Sequence, residues 1–304
     1  MLQKFSISIS RIFFKAFGKS GLVSTLSLAI AIFASGQLNT STAQDKDKSL
    51  KAEDLIARHL EAIGKTDARA AIKSRVASGT VRLVTRIGGA VDLPGEVLLA
   101  SEGARLRLSM KFPSIDYPGE NLAFDGKDAA TSLLPKGGRS QLSAFFSQQE
   151  SPLKEGLLGG VLSTAWSLLR VEQLQPKLEY RGMKKVDGRP LHELGYRPRK
   201  GAAGLKILLY FNPETFQHVR TIYSFQVGAS VGSRENPEQN PETYYSLTED
   251  FDDFRVADGL TLPTKYRLQI SAQGGQGARL FDYTMTINGV SHKETLTDKL
   301  FTLK

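Results

Sequence analysis

The stretch Arg105-Leu106-Arg107-Leu108-Ser109-Met110-Lys111-Phe112 alternates strictly between polar and apolar side chains. Tyr266-Arg267-Leu268-Gln269-Ile270 repeats the pattern near the other end of the chain. Because successive side chains of a strand point to opposite faces, each stretch predicts a strand with one apolar face and one face in water. Many such strands joined by turns predict a large curved antiparallel sheet, whose apolar face needs a cover.

Helical segments are predicted in two places: before the first strand and in the middle of the chain. Residues 51–63 carry an apolar stripe of Leu55, Ile56, His59, Leu60 and Ile63, which predicts an amphipathic helix, and a second short helix is predicted over 66–73. From 153 to 169 apolar residues recur at helical spacing, so we expect a helical insertion at about 140–170. The fold class is therefore α+β: a large curved antiparallel sheet of about ten strands with helices covering its concave, apolar face.

The first residues have the features of an export signal. Four basic residues precede an apolar run of 13 residues from Leu22 to Ala34, and small residues follow it. We expect a signal peptide over 1–36, with cleavage after Gly36 or after Ala43. A disordered stretch is expected over 37–50, and a single domain over 51–304.

The chain has no cysteine, so its core folds without disulfides. The same absence excludes lipid attachment at the cleavage point, which requires a cysteine. These features predict an exported, soluble periplasmic protein that is not a lipoprotein. Nucleic acid is not an expected partner in that compartment.

Positive charge is concentrated in one segment. The net charge is +9, but residues 181–206 alone hold eight basic residues against two acidic ones. Within the segment, Arg197, Arg199 and Lys200 form the predicted partner-docking cluster. Two interpretations stay open: a solvated hairpin with a charged tip, or a docking surface for an acidic envelope protein or an anionic membrane surface.

Signatures of catalysis or metal binding are missing from the sequence. The four histidines do not occur at metal-ligand spacings, and no nucleophile motif is present. The acidic residues Glu249, Asp250, Asp252, Asp253 and Asp258 do not match a calcium loop, and a solvated strand end is expected instead. We predict no catalytic residue, no metal, no cofactor and no enzymatic activity.

Several turn and strand signatures resemble the LolA/LolB-like (periplasmic lipoprotein-localisation factor) superfamily. They are the leading helix that begins Ala52-Glu53-Asp54-Leu55, the turns Phe124-Asp125-Gly126-Lys127 and Asn212-Pro213-Glu214-Thr215, the segment Asp258-Gly259-Leu260-Thr261-Leu262-Pro263, and the ending Leu300-Phe301-Thr302-Leu303. The resemblance covers most of the chain after the leader. The resemblance implies a half-open antiparallel barrel covered by a lid of helices. It also implies a function like that of the superfamily's members, which carry acylated lipoproteins across the periplasm or sense envelope stress.

The leading functional hypothesis is a carrier that holds a lipid or the acyl chain of a lipoprotein between sheet and helical lid. The side chains expected to line its apolar cavity are Leu106, Leu108, Met110, Leu158, Leu162, Trp166, Leu169, Tyr266, Leu268, Ile270, Tyr283 and Met285. The alternative is an interaction or sensor module with the same fold and a filled core. A hydrolase of envelope polymers is a third, weaker hypothesis, because no acid–base pair or nucleophile is evident.

Overall fold

A computed structural model describes residues 50–86, 90–201, 204–228, 242–274, 277–292 and 294–303. The predicted signal peptide over 1–36, both cleavage sites and the stretch 37–49 expected to be disordered lie outside the described residues. Everything below concerns the described ranges.

One antiparallel sheet forms the framework of the fold. Its order is β5-β4-β3-β2-β1-β12-β11-β10-β9-β8-β7-β6, so the first and last strands of the chain pair in its middle. The sheet is open, with β5 and β6 at its edges, and the predicted α+β class is confirmed. The described ranges contain twelve strands rather than about ten: β1 Ser74–Arg86, β2 Ala90–Glu102, β3 Arg105–Lys111, β4 Gly119–Phe124, β5 Ala129–Thr131, β6 Lys177–Val186, β7 Arg189–Arg197, β8 Lys206–Phe211, β9 His218–Val227, β10 Thr243–Ala257, β11 Leu260–Gly274 and β12 Gly277–Ser291.

The alternation that predicted the strands determines which face of the sheet is buried. In β3 every second residue is buried, beginning at Leu106, while the residues between them are partly accessible. β11 shows the same period around Tyr266. The apolar faces of both strands thus belong to one side of the sheet, and the helices cover that side.

Two helices precede the sheet. Helix α1 spans Ala52–Ile63, as predicted, and Asp54 Oδ2 accepts a hydrogen bond of 3.3 Å from the Lys51 amide at its start. Gly64 ends α1 with φ of +152°, and a Cβ atom there would lie 2.6 Å from the carbonyl oxygen of Gly259. Glycine is therefore required where the helix end meets the β10–β11 turn. Helix α2 spans Thr66–Ala71.

Residues 141–174, here called the lid segment, cross the buried face of the sheet. The segment contains α3 Gln141–Gln148, α4 Ser151–Lys154, 3₁₀ turns at Gly160–Leu162 and Ser167–Arg170, and α5 Val171–Leu174. The helical insertion expected at about 140–170 is thus made of short helices and 3₁₀ turns rather than of one continuous helix. Gly156 and Gly159 adopt φ of +71° and +77°, outside the right-handed helical region, and these residues interrupt the helix. Apolar spacing at 3–4 residues arises here from successive tight turns.

A single apolar core joins the sheet to α1 and the lid segment. Its largest fully buried side chains include Trp166, Tyr223, Tyr266, Tyr283 and Phe145. A short helix, α6 Asp298–Phe301, closes the described chain. None of the described helices has the length and apolar character needed to cross a membrane.

Candidate functional site

The interface between the lid segment and the sheet is filled at the predicted cavity positions. Eleven of the twelve predicted side chains are at most 1% exposed and belong to the one core: Leu106, Leu108, Met110, Leu158, Leu162, Trp166, Tyr266, Leu268, Ile270, Tyr283 and Met285. Side chains with so little accessible surface leave no room for a water molecule against them. The twelfth, Leu169, is 39% exposed. Ligand binding by the twelve stays a prediction, and the filled contact favours a site elsewhere.

Trp166 anchors the lid segment through two histidines. Its indole Nε1 donates to His59 Nε2 at 3.0 Å, and its ring stacks on His218 with centroids 4.7 Å apart. His59 Nδ1 then donates to the Phe216 carbonyl at 3.0 Å. Burial lowers the pKa of His59 to about 4, so its ring is neutral and Nε2 is free to accept. His59 therefore links α1, the lid segment and the sheet.

A buried carboxylate holds the lid segment at Gly159. Glu249 is fully buried and accepts hydrogen bonds from the Gly159 amide at 2.7 Å and from the hydroxyls of Tyr223 and Tyr266 at 2.6 Å. Burial raises its pKa to about 7. The expectation that Glu249 belongs to a solvated strand end is wrong, because strand alternation turns Glu249 inward while Asp250 and Asp252 lie on the opposite face.

A second buried carboxylate holds helix α3. Glu120 on β4 is 1% exposed and accepts a hydrogen bond of 2.7 Å from Ser143 Oγ. The hydroxyl of Tyr117 also donates to it, and that hydroxyl is 2.7 Å from the hydroxyl of Tyr283. Burial raises the pKa of Glu120. Both carboxylates are saturated with donors from the lid segment or the sheet, so we assign them to lid anchoring.

An open cleft of about 470 Å³ lies beside the lid segment, between its second half and helices α1 and α2. This volume is within the usual range for small-molecule sites, about 300–1,000 Å³. Leu169, the exposed member of the predicted set, lies in its wall. The cleft is lined by Leu60, Ile63, Thr66, Arg69, Ala70, Ile72, Arg75, Gly103, Ala104, Val161, Thr164, Leu169, Arg170, Gln173 and Leu260. We call it the arginine cleft, because its charged lining residues are three arginines.

Arg75 is the most deeply buried of these arginines, at 3% exposure. Its Nη1 donates to the Val161 carbonyl, and its Nε donates to His292 Nε2 at 2.9 Å. Since a guanidinium only donates, the proton of His292 is assigned to Nδ1, which is 2.8 Å from Asp258 Oδ2. Burial lowers the pKa of Arg75 to about 10, so it is a cation at neutral pH. His292 thus lies between the buried guanidinium of Arg75 and the carboxylate of Asp258.

Arg69 and Arg170 each retain an unsatisfied donor in the cleft wall. Arg69 Nη2 donates to Thr66 Oγ1 at 3.0 Å, while its Nε is buried without a partner among the described residues. Arg170 Nε donates weakly to Gln173 at 3.4 Å, and its buried Nη1 likewise has no described partner. The hydroxyl of Thr164 in the same wall is also buried without a hydrogen-bond partner among the described residues. Each unsatisfied buried donor costs about 1–3 kcal/mol.

The three arginines escaped prediction because they lie in separate parts of the sequence. One local signal was available for Arg75. Arg75 is an even number of residues away from the buried Ala77, Val81 and Leu83 of β1. Strand alternation therefore places a cation on the apolar face of the sheet. A charge at such a position indicates either an ion pair or a site. Arg69 and Arg170 carry no comparable signal.

The predicted docking cluster lies at one end of the β6–β7 hairpin. Arg197 lines a groove of about 500 Å³ together with Lys177, Arg181 and Lys206, with Glu179 as its acidic member among the described residues. Arg199 Nη1 donates to Gln175 at 2.6 Å, and Lys200 is exposed. The remaining basic residues of segment 181–206, at 184, 185 and 189, lie at the hairpin tip, about 25 Å away along the strands. The basic segment is therefore divided between two surfaces.

No family model matches the chain, and no curated protein matches it in sequence. Solved structures with a similar fold were found. A DUF1329 family protein from Desulfovibrio piger is 12% identical, with 83% of this chain and 97% of that chain covered and a TM-score of 0.46. A LolA superfamily protein from Nitrosomonas europaea is 13% identical, with 84% and 99% covered and a TM-score of 0.42.

An outer membrane lipoprotein-sorting protein domain from Vibrio parahaemolyticus is 9% identical, with 81% of this chain and 97% of that chain covered and a TM-score of 0.44. These neighbours include a LolA superfamily protein, and the sequence signatures described above resemble the LolA/LolB-like superfamily. At these identities and TM-scores the likeness concerns fold alone, and the function is argued below from the chain's own residues.

Proposed function

We propose that this protein is an exported, periplasmic binding protein that holds an apolar chain, such as the acyl chain of a lipid or lipoprotein, in the arginine cleft. The observation that supports the proposal is an open cleft of about 470 Å³ with an apolar wall beside a filled core. Each methylene that moves from water into such a wall contributes about 0.8 kcal/mol.

The location of the cleft also supports this function. Its walls come from α1, α2, the turn between β2 and β3, and the lid segment, which are separate elements meeting at one edge of the core. Clefts between elements are preferred sites for small molecules. Leu169 exposes 39% of its surface there although it is apolar, and a bound chain would cover it.

A charge-neutral pair of variants tests the proposal. The protein is purified gently, and native mass spectrometry measures carried-over lipid and the uptake of dodecanol and dodecyl phosphate. Leu169→Asn removes apolar surface from the cleft, so we expect weaker uptake of both ligands. Ile115→Asn, at a 91% exposed position away from the cleft, is the matched control and should bind as the wild type does. Absence of uptake by the wild-type protein would overturn the proposal.

A second candidate function is docking to an acidic envelope protein or an anionic membrane surface through the groove around Arg197. The observation that favours it is four basic residues around one groove with Glu179 as the acidic counterpart. Replacing Arg197, Arg199 and Lys200 by Glu should abolish binding to phosphatidylcholine vesicles that contain phosphatidylglycerol. The matched control replaces Lys184, Lys185 and Arg189 by Glu at the hairpin tip.

The two triple variants change the net charge equally, so a general electrostatic effect would weaken both. Loss of binding restricted to the first variant would support a specific surface. Binding of the wild-type protein to the vesicles should also weaken as salt is added, because exposed charges are screened. Equal behaviour of the two variants, or no binding by the wild-type protein, would contradict docking through this groove.

A further inference from the structure

We infer that the ligand of the arginine cleft is an anionic amphiphile, an apolar chain that ends in a carboxylate or phosphate group. This inference rests on the proposed function and adds the chemistry of the ligand's head. Its basis is the composition of the cleft, in which Arg69, Arg75 and Arg170 stand beside an apolar wall. Among the described lining residues none is acidic, so the wall supplies positive charge without a counter-charge of its own.

Two acidic groups are linked to these arginines without lining the cleft. Asp258 is linked to Arg75 through His292. Burial lowers the pKa of Arg170, and the charge of Glu155 opposes this shift. The Glu155 carboxylate accepts a hydrogen bond of 2.7 Å from the Tyr196 hydroxyl and is not part of the cleft lining. The field inside the cleft therefore favours an anion.

The unsatisfied donors provide the second, independent observation. Arg69 Nε, Arg170 Nη1 and the Thr164 hydroxyl are buried in the cleft wall and have no hydrogen-bond acceptor in the described chain. These atoms are covered by the wall, so an anionic head would have to draw the guanidinium groups toward itself, whereas a neutral chain would leave them unsatisfied. A carboxylate or phosphate oxygen accepts several N–H bonds at once, and guanidinium groups suit its geometry.

Arg75 is held in place before any ligand arrives. Its bonds to Val161 and His292 orient the guanidinium, and the 3% exposure of the residue removes it from bulk water. A charge fixed in this way interacts with an anion more strongly than a mobile surface lysine does, because less side-chain entropy is lost on binding. The apolar side chains of Leu60, Ile63 and Leu169 would then hold the chain.

Three ligands with the same chain test the head group: laurate, dodecyl phosphate and dodecanol. Isothermal titration with the full-length exported protein measures each affinity. We expect laurate and dodecyl phosphate to bind about tenfold or more tightly than dodecanol, the gain expected for at least one charge-assisted hydrogen bond. Inorganic phosphate is the fourth probe and should bind far more weakly than dodecyl phosphate.

Arginine variants test which side chains cause the preference for anionic ligands. Arg170→Gln and Arg69→Gln should each reduce the affinity for the two anionic ligands and leave the affinity for dodecanol unchanged. Arg139→Gln, at an exposed arginine outside the cleft, is the control for loss of one positive charge. Both cleft positions are only partly buried, so these variants keep the fold, which thermal melting checks.

The possible failures are distinguishable. If dodecanol binds as tightly as the anionic ligands, the inference about the head is overturned and the proposed function stands. If none of the four binds, or inorganic phosphate binds as tightly as dodecyl phosphate, then the apolar chain contributes nothing and the proposed function is overturned as well. Equal loss in Arg139→Gln and Arg170→Gln would show that the cleft does not recognise the anion.

Discussion

The indole Nε1 of Trp166 donates a hydrogen bond to His59 Nε2 across 3.0 Å and so joins the lid segment to α1. Both residues are at most 1% exposed. The first half of the lid segment is held in turn by Glu249 and Glu120. Buried hydrogen bonds therefore hold the lid segment on the apolar core, and the arginine cleft lies beside its second half.

Loss of the Trp166 donor should destabilise the protein. Trp166→Phe keeps an aromatic ring but leaves the His59 acceptor buried and unpaired, which we expect to lower the free energy of unfolding by about 1–3 kcal/mol. Urea denaturation followed by circular dichroism measures the change. Ile115→Ala, on the surface, should stay within about 0.5 kcal/mol of the wild type. A Trp166→Phe value in that same narrow range would contradict the anchor.

Glu249 should make stability depend on pH. Burial raises its pKa from the usual 4.5 to about 7, so between these values the native state holds a proton that the unfolded state has released. The contribution of Glu249 is therefore fully present below pH 4.5 and lost as pH rises through about 7. The full difference is about 3 kcal/mol. His59 acts in the opposite direction over part of this window, since burial lowers its pKa from 6.5 to about 4.

The Glu249→Gln variant separates the two effects. His59 is present in both proteins, so the wild-type value minus the variant value should fall by about 3 kcal/mol between pH 4.5 and pH 7. Urea denaturation at a series of pH values provides the measurement, with Ile115→Ala as a control whose difference should stay flat. A constant difference for Glu249→Gln would show that Glu249 titrates normally.

Gly156 should be intolerant of any side chain. Its φ is +71°, and a Cβ atom would lie 1.9 Å from the carbonyl oxygen of Ala165, a backbone atom. Gly137 has a similar φ of +77° but no atom within 4 Å of a Cβ. Gly137→Ala therefore costs about 1 kcal/mol from backbone strain, and Gly156→Ala should cost several kcal/mol more because the lid segment must shift. Equal thermal destabilisation of the two variants would contradict the close approach.

Two arginines on β1 should differ in their effect on stability. Arg75→Met leaves the Val161 carbonyl and His292 Nε2 without their donor, and we expect a loss of at least about 2 kcal/mol. The side chain of Arg82 is 66% exposed in its ion pair with Asp92, so Arg82→Met should leave stability nearly unchanged. Chemical denaturation of both variants is the measurement. If Arg75→Met were as stable as Arg82→Met, the His292 bond would not hold Arg75.

Strand alternation was sufficient to predict the sheet. The period around Leu106 and Tyr266 fixes which residues face the core, and helix α1 follows from its apolar stripe. The path of the lid segment was not predictable in this way. A helix and a succession of tight turns both repeat apolar residues every three or four positions, and only the positive φ of Gly156 and Gly159 distinguishes them.

The cleft depends on contacts that are distant in sequence, so its prediction from sequence was only partial. Leu169 was predicted as a ligand-binding residue and lines the cleft, whereas Arg69, Arg75 and Arg170 come from α2, the start of β1 and the lid segment. Their convergence is a property of the packing. The predicted cavity beneath Trp166 required a gap between two apolar surfaces, and a sequence does not reveal whether such surfaces meet.

The most direct test of the account is a crystal structure of the protein with dodecyl phosphate carrying a bromine atom at the end of its chain. We expect anomalous density for bromine in the arginine cleft near Leu60 and Leu169, with the phosphate beside Arg69 and Arg170. Bromine beneath Trp166, between Leu108 and Leu268, would contradict it. That result would mean that the lid segment opens and that the ligand binds where the core is filled in the structure described above.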